Sequence, residues 1–176
     1  MKYSKQPETE RFLLRVLTKN DASVEYLAWF KDPEALKYIA STAKEWSIER
    51  LRNYIENIES DPNAIFFGIF TRDTGRHIGN IKFENMDFSL GVATLGVLIG
   101  EPTWRGKGVF GETFLALQLL LARDFSVHKI YLGVDRENEA AVKSYIRSGF
   151  VTSFDGYLTA KNAFFSGLEM VSRFNP

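Results

Sequence analysis

Between Ala64 and Ile99 the chain offers three strand-like stretches with almost nothing between them. Ala64 to Thr71 (AIFFGIFT) and His77 to Asn85 flank Asp73-Thr74-Gly75, and Ala93 to Ile99 follows Gly91. The first pair reads as a hairpin about a turn-forming triplet. A parallel connection needs a crossover of a dozen or more residues. These links are too short, so the middle of the chain must be an antiparallel meander. Any sheet this protein forms is built outward from it.

The flanks supply helices. Arg11 to Leu17 reads as a strand, and a helix starts at Thr18-Lys19-Asn20-Asp21 with Val24, Leu27, Ala28 and Phe30 as its apolar stripe. That helix ends near Asp32-Pro33, and a short one covers Glu34 to Ile39. Ser47 is placed to cap Ile48 to Glu59, where Ile48, Leu51, Ile55 and Ile58 share a face. After the meander come a helix over Gly111 to Asp124, with Phe114, Leu117, Leu120 and Leu121 inward, a strand over Lys129 to Val134, and a helix over Asn138 to Arg147. Phe150 to Leu158 and Phe164 to Arg173 read as the last two strands. The order β-αα-βββ-α-β-α-ββ predicts an α/β (α+β) fold, a mixed and mostly antiparallel sheet of seven strands flanked by helices.

At 176 residues and 20.1 kDa, the expectation is one domain, with residues 1–10 a polar, flexible tail. That tail lacks a signal-peptide core, and no apolar run reaches a membrane span of about 20 residues, so the expected compartment is the cytoplasm without membrane contact. Lys plus Arg and Asp plus Glu are both 22, a balance that argues against nucleic acid as a partner. The absence of cysteine removes disulfides, thiolate nucleophiles and Cys-ligated zinc. With only His77 and His128, far apart, no metal site is expected. The 15 Phe, 7 Tyr and 3 Trp imply a bulky core and an aromatic-lined pocket.

Glycine is concentrated: six of the 13 lie between Gly91 and Gly111. The segment Trp104-Arg105-Gly106-Lys107-Gly108-Val109-Phe110-Gly111 joins a strand to a helix. Glycine allows positive φ and close backbone approach, and a helix N-terminus presents unpaired N–H groups to an anion. With Arg105 and Lys107 adjacent, a phosphate or pyrophosphate is the natural guest. A Walker loop is excluded, because Glu101 stands where its first glycine belongs and Gly108 where its hydroxyl belongs. Gly106, Gly108 and Gly111 spell G-x-G-x-x-G, with Asp135 beyond the next strand, so a dinucleotide-binding oxidoreductase is a competing reading. Six residues precede its first glycine, however, and too little chain follows for a six-stranded parallel sheet.

The same segment follows the pattern R-x-x-G-x-[GA] from Arg105 up to its last position, where Phe110 stands, and Asn138, Tyr145, Gly149 and Phe150 form N-x₆-Y-x₃-G-F downstream. In this order the two motifs resemble the GNAT superfamily of N-acetyltransferases. The likeness runs from Arg11 to the final strands. Leu13 to Phe30, Ile78 to Ile81 and Leu95 to Gly100 are similar to the branch that acetylates ribosomal proteins. The resemblance implies acetyl-CoA as acyl-donor cosubstrate, no metal, and a primary amine as acceptor: a small-molecule or sugar amine, or a protein N-terminus. A homodimer is left open.

It further implies that the backbone at Val97, Leu98 and Ile99 receives the pantetheine arm. Arg105, Gly106, Lys107, Gly108, Val109, Phe110 and Gly111 would cradle the pyrophosphate, and Asn138 and Ser144 would add cofactor contacts. Tyr145 falls at the general-acid position, where the leaving thiolate needs a proton. A free amine has a pKa near 10.4, and Glu84 is the candidate base, with Asp87 nearby. Phe110 departs from the family pattern, which has Gly or Ala there. Its ring must therefore turn into the core if its N–H is to face the pyrophosphate; otherwise a non-catalytic acyl-CoA-binding module is the alternative.

Overall fold

The computed structural model describes residues 6–38, 45–162 and 165–174. Residues 1–5 of the expected tail and residue 39 of the short helix expected over 34–39 lie outside the described residues. Seven strands, β1 (Phe12–Val16), β2 (Ile65–Thr71), β3 (His77–Asp87), β4 (Val92–Ile99), β5 (Lys129–Val134), β6 (Val151–Thr152) and β7 (Leu168–Arg173), form one sheet. Its order is β1-β2-β3-β4-β5-β7-β6. β2 to β4 are the expected antiparallel meander, with Phe67 opposite Ile81 and Ile81 opposite Val97, and β1 adds to its edge antiparallel to β2.

The helices are α1 (Val24–Trp29), α2 (Pro33–Leu36), α3 (Ile48–Glu59), α4 (Val109–Phe125), α5 (Glu139–Arg147) and α6 (Tyr157–Lys161). Ser47 caps α3 as its sequence position requires, its Oγ accepting from the Arg50 N–H at 3.1 Å. Leu51 and Ile55 are fully buried beneath it. The inward face of α4, Phe114, Leu117, Leu120 and Leu121, is also buried. The α1 stripe is a correction: Val24 is 71% exposed, while Tyr26 and Trp29 are buried. The helix has only two turns, and Tyr26 is anchored by the buried Asn80 amide, which donates to its hydroxyl at 2.8 Å. A polar pair sets that face where periodicity alone could not.

The strand expected over Phe150 to Leu158 shrinks to Val151–Thr152 and gives way to α6. Gly156, at φ +67°, turns the chain, and the buried Glu169 carboxylate on β7 accepts from Ser153 Oγ and from the Leu158 N–H, each at 2.7 Å. The sheet divides two apolar clusters. One, under α4, joins residues of β1 to β5 and β7; the other, under α1 and α3, gathers Leu17, Tyr26, Trp29, Leu51, Ile55, Phe66 and Phe70.

Candidate active site

β4 and β5 are the sheet's parallel pair, and they are paired only over Val92–Thr94 and Lys129–Tyr131. Beyond that point β4 continues to Ile99 and β5 to Val134 without strand pairing between them. A wedge-shaped cleft opens there, and one edge of Leu95 to Ile99 is left without a strand partner. Val97 and Ile99 pack toward the α4 side and Leu98 toward the α1 and α3 side.

At the end of β4 the chain runs through a short turn into α4. Gly106 and Gly108 both stand at φ +72°, the left-handed region that a side chain resists. A Cβ at Gly106 would meet nothing within 4 Å, and one at Gly108 only Arg11 Nη2 at 3.9 Å, so backbone conformation rather than space demands glycine. No side chain caps α4. Among the described residues the N–H groups of Gly108, Val109, Phe110 and Gly111 donate to no acceptor. Four free donors at the positive end of a five-turn helix suit an anion.

Phe110 resolves as its departure from the pattern requires. Its ring is 6% exposed, stacked on Phe114 at 5.1 Å and met edge-on by Tyr145 at 5.0 Å. Val109 is likewise buried. Both residues therefore give the loop their N–H groups and the core their side chains. Gly111 packs against α5: a Cβ there would stand 3.3 Å from Ser148 Oγ.

Arg105 and Lys107 behave differently. Lys107 is exposed, with its ammonium 5.7 Å from the Trp104 ring centre. The Arg105 guanidinium turns back into the protein, donating to the carbonyls of Ile99 at 3.0 Å and Gly100 at 2.8 Å and pairing with Asp32 at 2.6 Å. Sequence reading missed Arg11, which donates to the Lys107 carbonyl at 3.0 Å and pairs with Glu112 at 2.6 Å. It thereby ties β1 to the loop. The signal, an Arg beside a strand and a Glu in the first helical turn, is too common to read alone.

Across the cleft, Asn138 caps α5, its Oδ1 accepting from the Ala141 N–H at 3.1 Å. Ser144 is half-buried one position before Tyr145. α5 ends in a Schellman turn: Gly149, at φ +86°, donates to the Ile146 carbonyl at 3.1 Å, and Phe150 to the Tyr145 carbonyl at 3.0 Å. This accounts for the spacing Y-x₃-G-F, because the turn brings the Phe150 ring back to 5.8 Å from Tyr145. Burial between Phe110 and Phe150 pushes the Tyr145 phenol up to about 12.

Glu84 lies on β3 opposite Thr94, at the level where β4 and β5 part. Its carboxylate is paired with Lys82 at 2.7 Å, and Lys82 also donates to the Tyr54 hydroxyl at 3.3 Å. Burial opposes the Lys82 charge, but Tyr54 and Glu84 outweigh it and hold its pKa above the ordinary value. Asp87 is turned to its own loop, accepting from Ser89 and Leu90. Phe30, Trp46 and Tyr54 form an aromatic chain on this face, with Trp46 stacked on Phe30 at 4.1 Å. His77 is caged by Tyr26, Trp29 and Phe70 and stays structural. Among the described residues no group of His, Asp and Glu could hold a metal.

The model of the acetyltransferase (GNAT) domain matches residues 11–151. The chain belongs to the GNAT family. It is an acyltransferase that draws its acyl group from acetyl-CoA, as these enzymes do. No curated protein matches it by sequence. Among solved structures it resembles a ribosomal L7/L12 α-N-protein acetyltransferase in complex with coenzyme A, with 17% identity, TM-score 0.78, and 96% of this chain and 97% of that one covered. It also resembles the ribosomal-protein-S5-alanine acetyltransferase of Vibrio fischeri, with 16% identity, TM-score 0.77 and 97% of both chains covered. The spermidine N-acetyltransferase of Vibrio cholerae, in complex with CoA and spermine, has 21% identity, TM-score 0.72, and 92% and 95% covered. At these identities the likeness is one of fold. The dinucleotide reading falls with the topology, since its parallel sheet is absent, and the non-catalytic reading loses its motive with the Phe110 ring in the core.

Proposed function

We propose that this GNAT enzyme transfers acetyl from acetyl-CoA to a primary amine by direct attack within a ternary complex. The acceptor is a small-molecule or sugar amine or a protein N-terminus. The observation that carries this reading is the parting of β4 and β5, which leaves a bare strand edge at Val97, Leu98 and Ile99 leading to the free N–H groups of Gly108 to Gly111. An extended pantetheine arm would lie along that edge like an added strand. Its pyrophosphate would meet the start of α4, with Gly106 and Lys107 contributing backbone and charge. Arg105 supports this site through the Ile99 and Gly100 carbonyls rather than through the phosphate.

In the transfer the amine nitrogen bonds to the thioester carbonyl carbon and the carbon–sulfur bond breaks. The developing oxyanion takes a backbone N–H from Leu98 or Ile99. Tyr145 hydrogen-bonds the leaving sulfur, with Asn138 and Ser144 on the same helix alongside the cofactor. Glu84 receives the acceptor's proton. An incoming ammonium beside Glu84 competes with Lys82 for the carboxylate, and loss of its proton restores the neutral balance of the Lys82–Glu84 pair.

The test is calorimetric titration with acetyl-CoA, followed by thiol release against a panel of spermidine, glucosamine and peptides beginning with Ser or Ala. Saturable acetyl-CoA binding and amine-dependent release from one class are expected. Binding without release for any primary amine would refute the proposal.

A further inference from the structure

The segment Asp32 to Tyr38, which contains α2, lies across the mouth of the cleft and is fastened on both sides. At the β4 side, one Asp32 oxygen pairs with Arg105 at 2.6 Å, and Arg105 grips the carbonyls of Ile99 and Gly100. At the β5 side, the Tyr38 hydroxyl donates to the Glu137 carbonyl at 3.4 Å, one residue before the α5 cap. The strap therefore joins the two strands where their backbones have parted. The other Asp32 oxygen accepts from the Glu34 N–H at 3.0 Å and caps α2. A single carboxylate thus links α2 to the turn that precedes the pyrophosphate loop.

Given the functional reading above, we propose that Arg105 and Asp32 are positioning residues that couple occupation of the α4 loop to the placement of the strap bounding the acceptor's entrance. The guanidinium is a planar fork, and here Nε and Nη2 donate to two β4-end carbonyls and one strap carboxylate. A cosubstrate seated on β4 and the loop fixes Ile99, Gly100 and Arg105 together. Asp32 follows Arg105, and α2 follows Asp32. The acceptor then meets a wall set by the first substrate.

The experiment is hydrogen exchange of the full chain with and without saturating coenzyme A. In the wild type, coenzyme A should slow exchange at least threefold both over 108–112 and over 32–38. Asp32→Asn is the informative variant because Asn caps a helix as well as Asp does, so α2 persists while the ion pair is lost. It should keep the protection at 108–112 and lose the ligand-induced protection at 32–38. Arg105→Lys, with no fork, should do the same, and the double variant should add nothing. A merely structural cap would alter exchange equally with and without ligand, leaving the difference unchanged. Undiminished strap protection in both single variants, or no strap response in the wild type, would overturn the coupling. Failure of coenzyme A to protect 108–112 in the wild type would instead overturn the functional reading on which it rests.

Discussion

Replacing Tyr145 by Phe separates chemistry from packing. The ring would keep its contacts with Phe110 at 5.0 Å and Phe150 at 5.8 Å. The hydroxyl has no hydrogen-bond partner among the described residues, so its removal should change stability by less than about 0.5 kcal/mol. The effect on turnover follows from acidity. A phenol held at about 12 faces a thiolate whose thiol has a pKa near 8.5. Complete proton transfer would run uphill by roughly 3.5 units, or about 5 kcal/mol. In the proposed mechanism Tyr145 would therefore serve by hydrogen-bonding the departing sulfur, with solvent completing the protonation. General acids contribute about 10²- to 10⁴-fold, and so weak a donor belongs at the low end. Tyr145→Phe should lower kcat about 10²-fold with KM for acetyl-CoA within twofold, measured by thiol release between pH 6 and 10. The wild-type rate should rise with pH as the amine loses its proton, with no decline attributable to Tyr145 below about pH 11. A variant kcat within twofold of wild type would remove Tyr145 from the mechanism.

Gly108→Ala forces a Cβ into left-handed backbone at φ +72°, which costs about 1–2 kcal/mol. It should weaken coenzyme A roughly tenfold by calorimetry while lowering the melting temperature by only a few degrees; unchanged affinity would mean that the loop conformation is not used in binding. His77 supplies a pH test, since burial lowers its pKa to about 4. The unfolded chain takes up this proton near pH 6.5 and the folded one only near 4. The stability His77 confers is therefore whole above pH 6.5 and falls as pH drops toward 4, by roughly 3 kcal/mol in all. Denaturant titrations of His77→Phe should show a shallower loss between pH 7 and 4.5 than wild type, and parallel curves would refute the assignment.

The meander and the main helices were legible because short connections and periodic apolar residues act locally. The β5 strand appears over the same residues, Lys129–Val134, that its apolar run marked. The faces of α1 and the fate of Phe150 to Leu158 were not legible, because each is settled by a distant polar partner: Asn80 for Tyr26, and Glu169 for Leu158. The glycine loop was legible through its conformational demand, and Phe110 through its mismatch with the pattern. Arg105 was not. Its charge suggested phosphate, but three oxygen acceptors, one of them 73 residues away in Asp32, hold its side chain inward.

The brevity of the β4–β5 pairing has a mechanical consequence. Among the described residues, backbone pairing between the first four strands and the last three is confined to Val92–Thr94 with Lys129–Tyr131 and to the Gly91 carbonyl, which accepts from the His128 and Lys129 N–H groups. On the α4 side a common apolar cluster spans both halves, whereas the cluster under α1 and α3 draws on the first half alone. The sheet is thus glued along one surface and split along the other. Stress on such a plate concentrates at the tip of the split, between Thr94 and Leu95. Partial unfolding should begin as a crack running from that tip, with β5 to β7 peeling away while the meander stays intact. Coenzyme A, seated across the split as proposed, would then also be the fastener that arrests it.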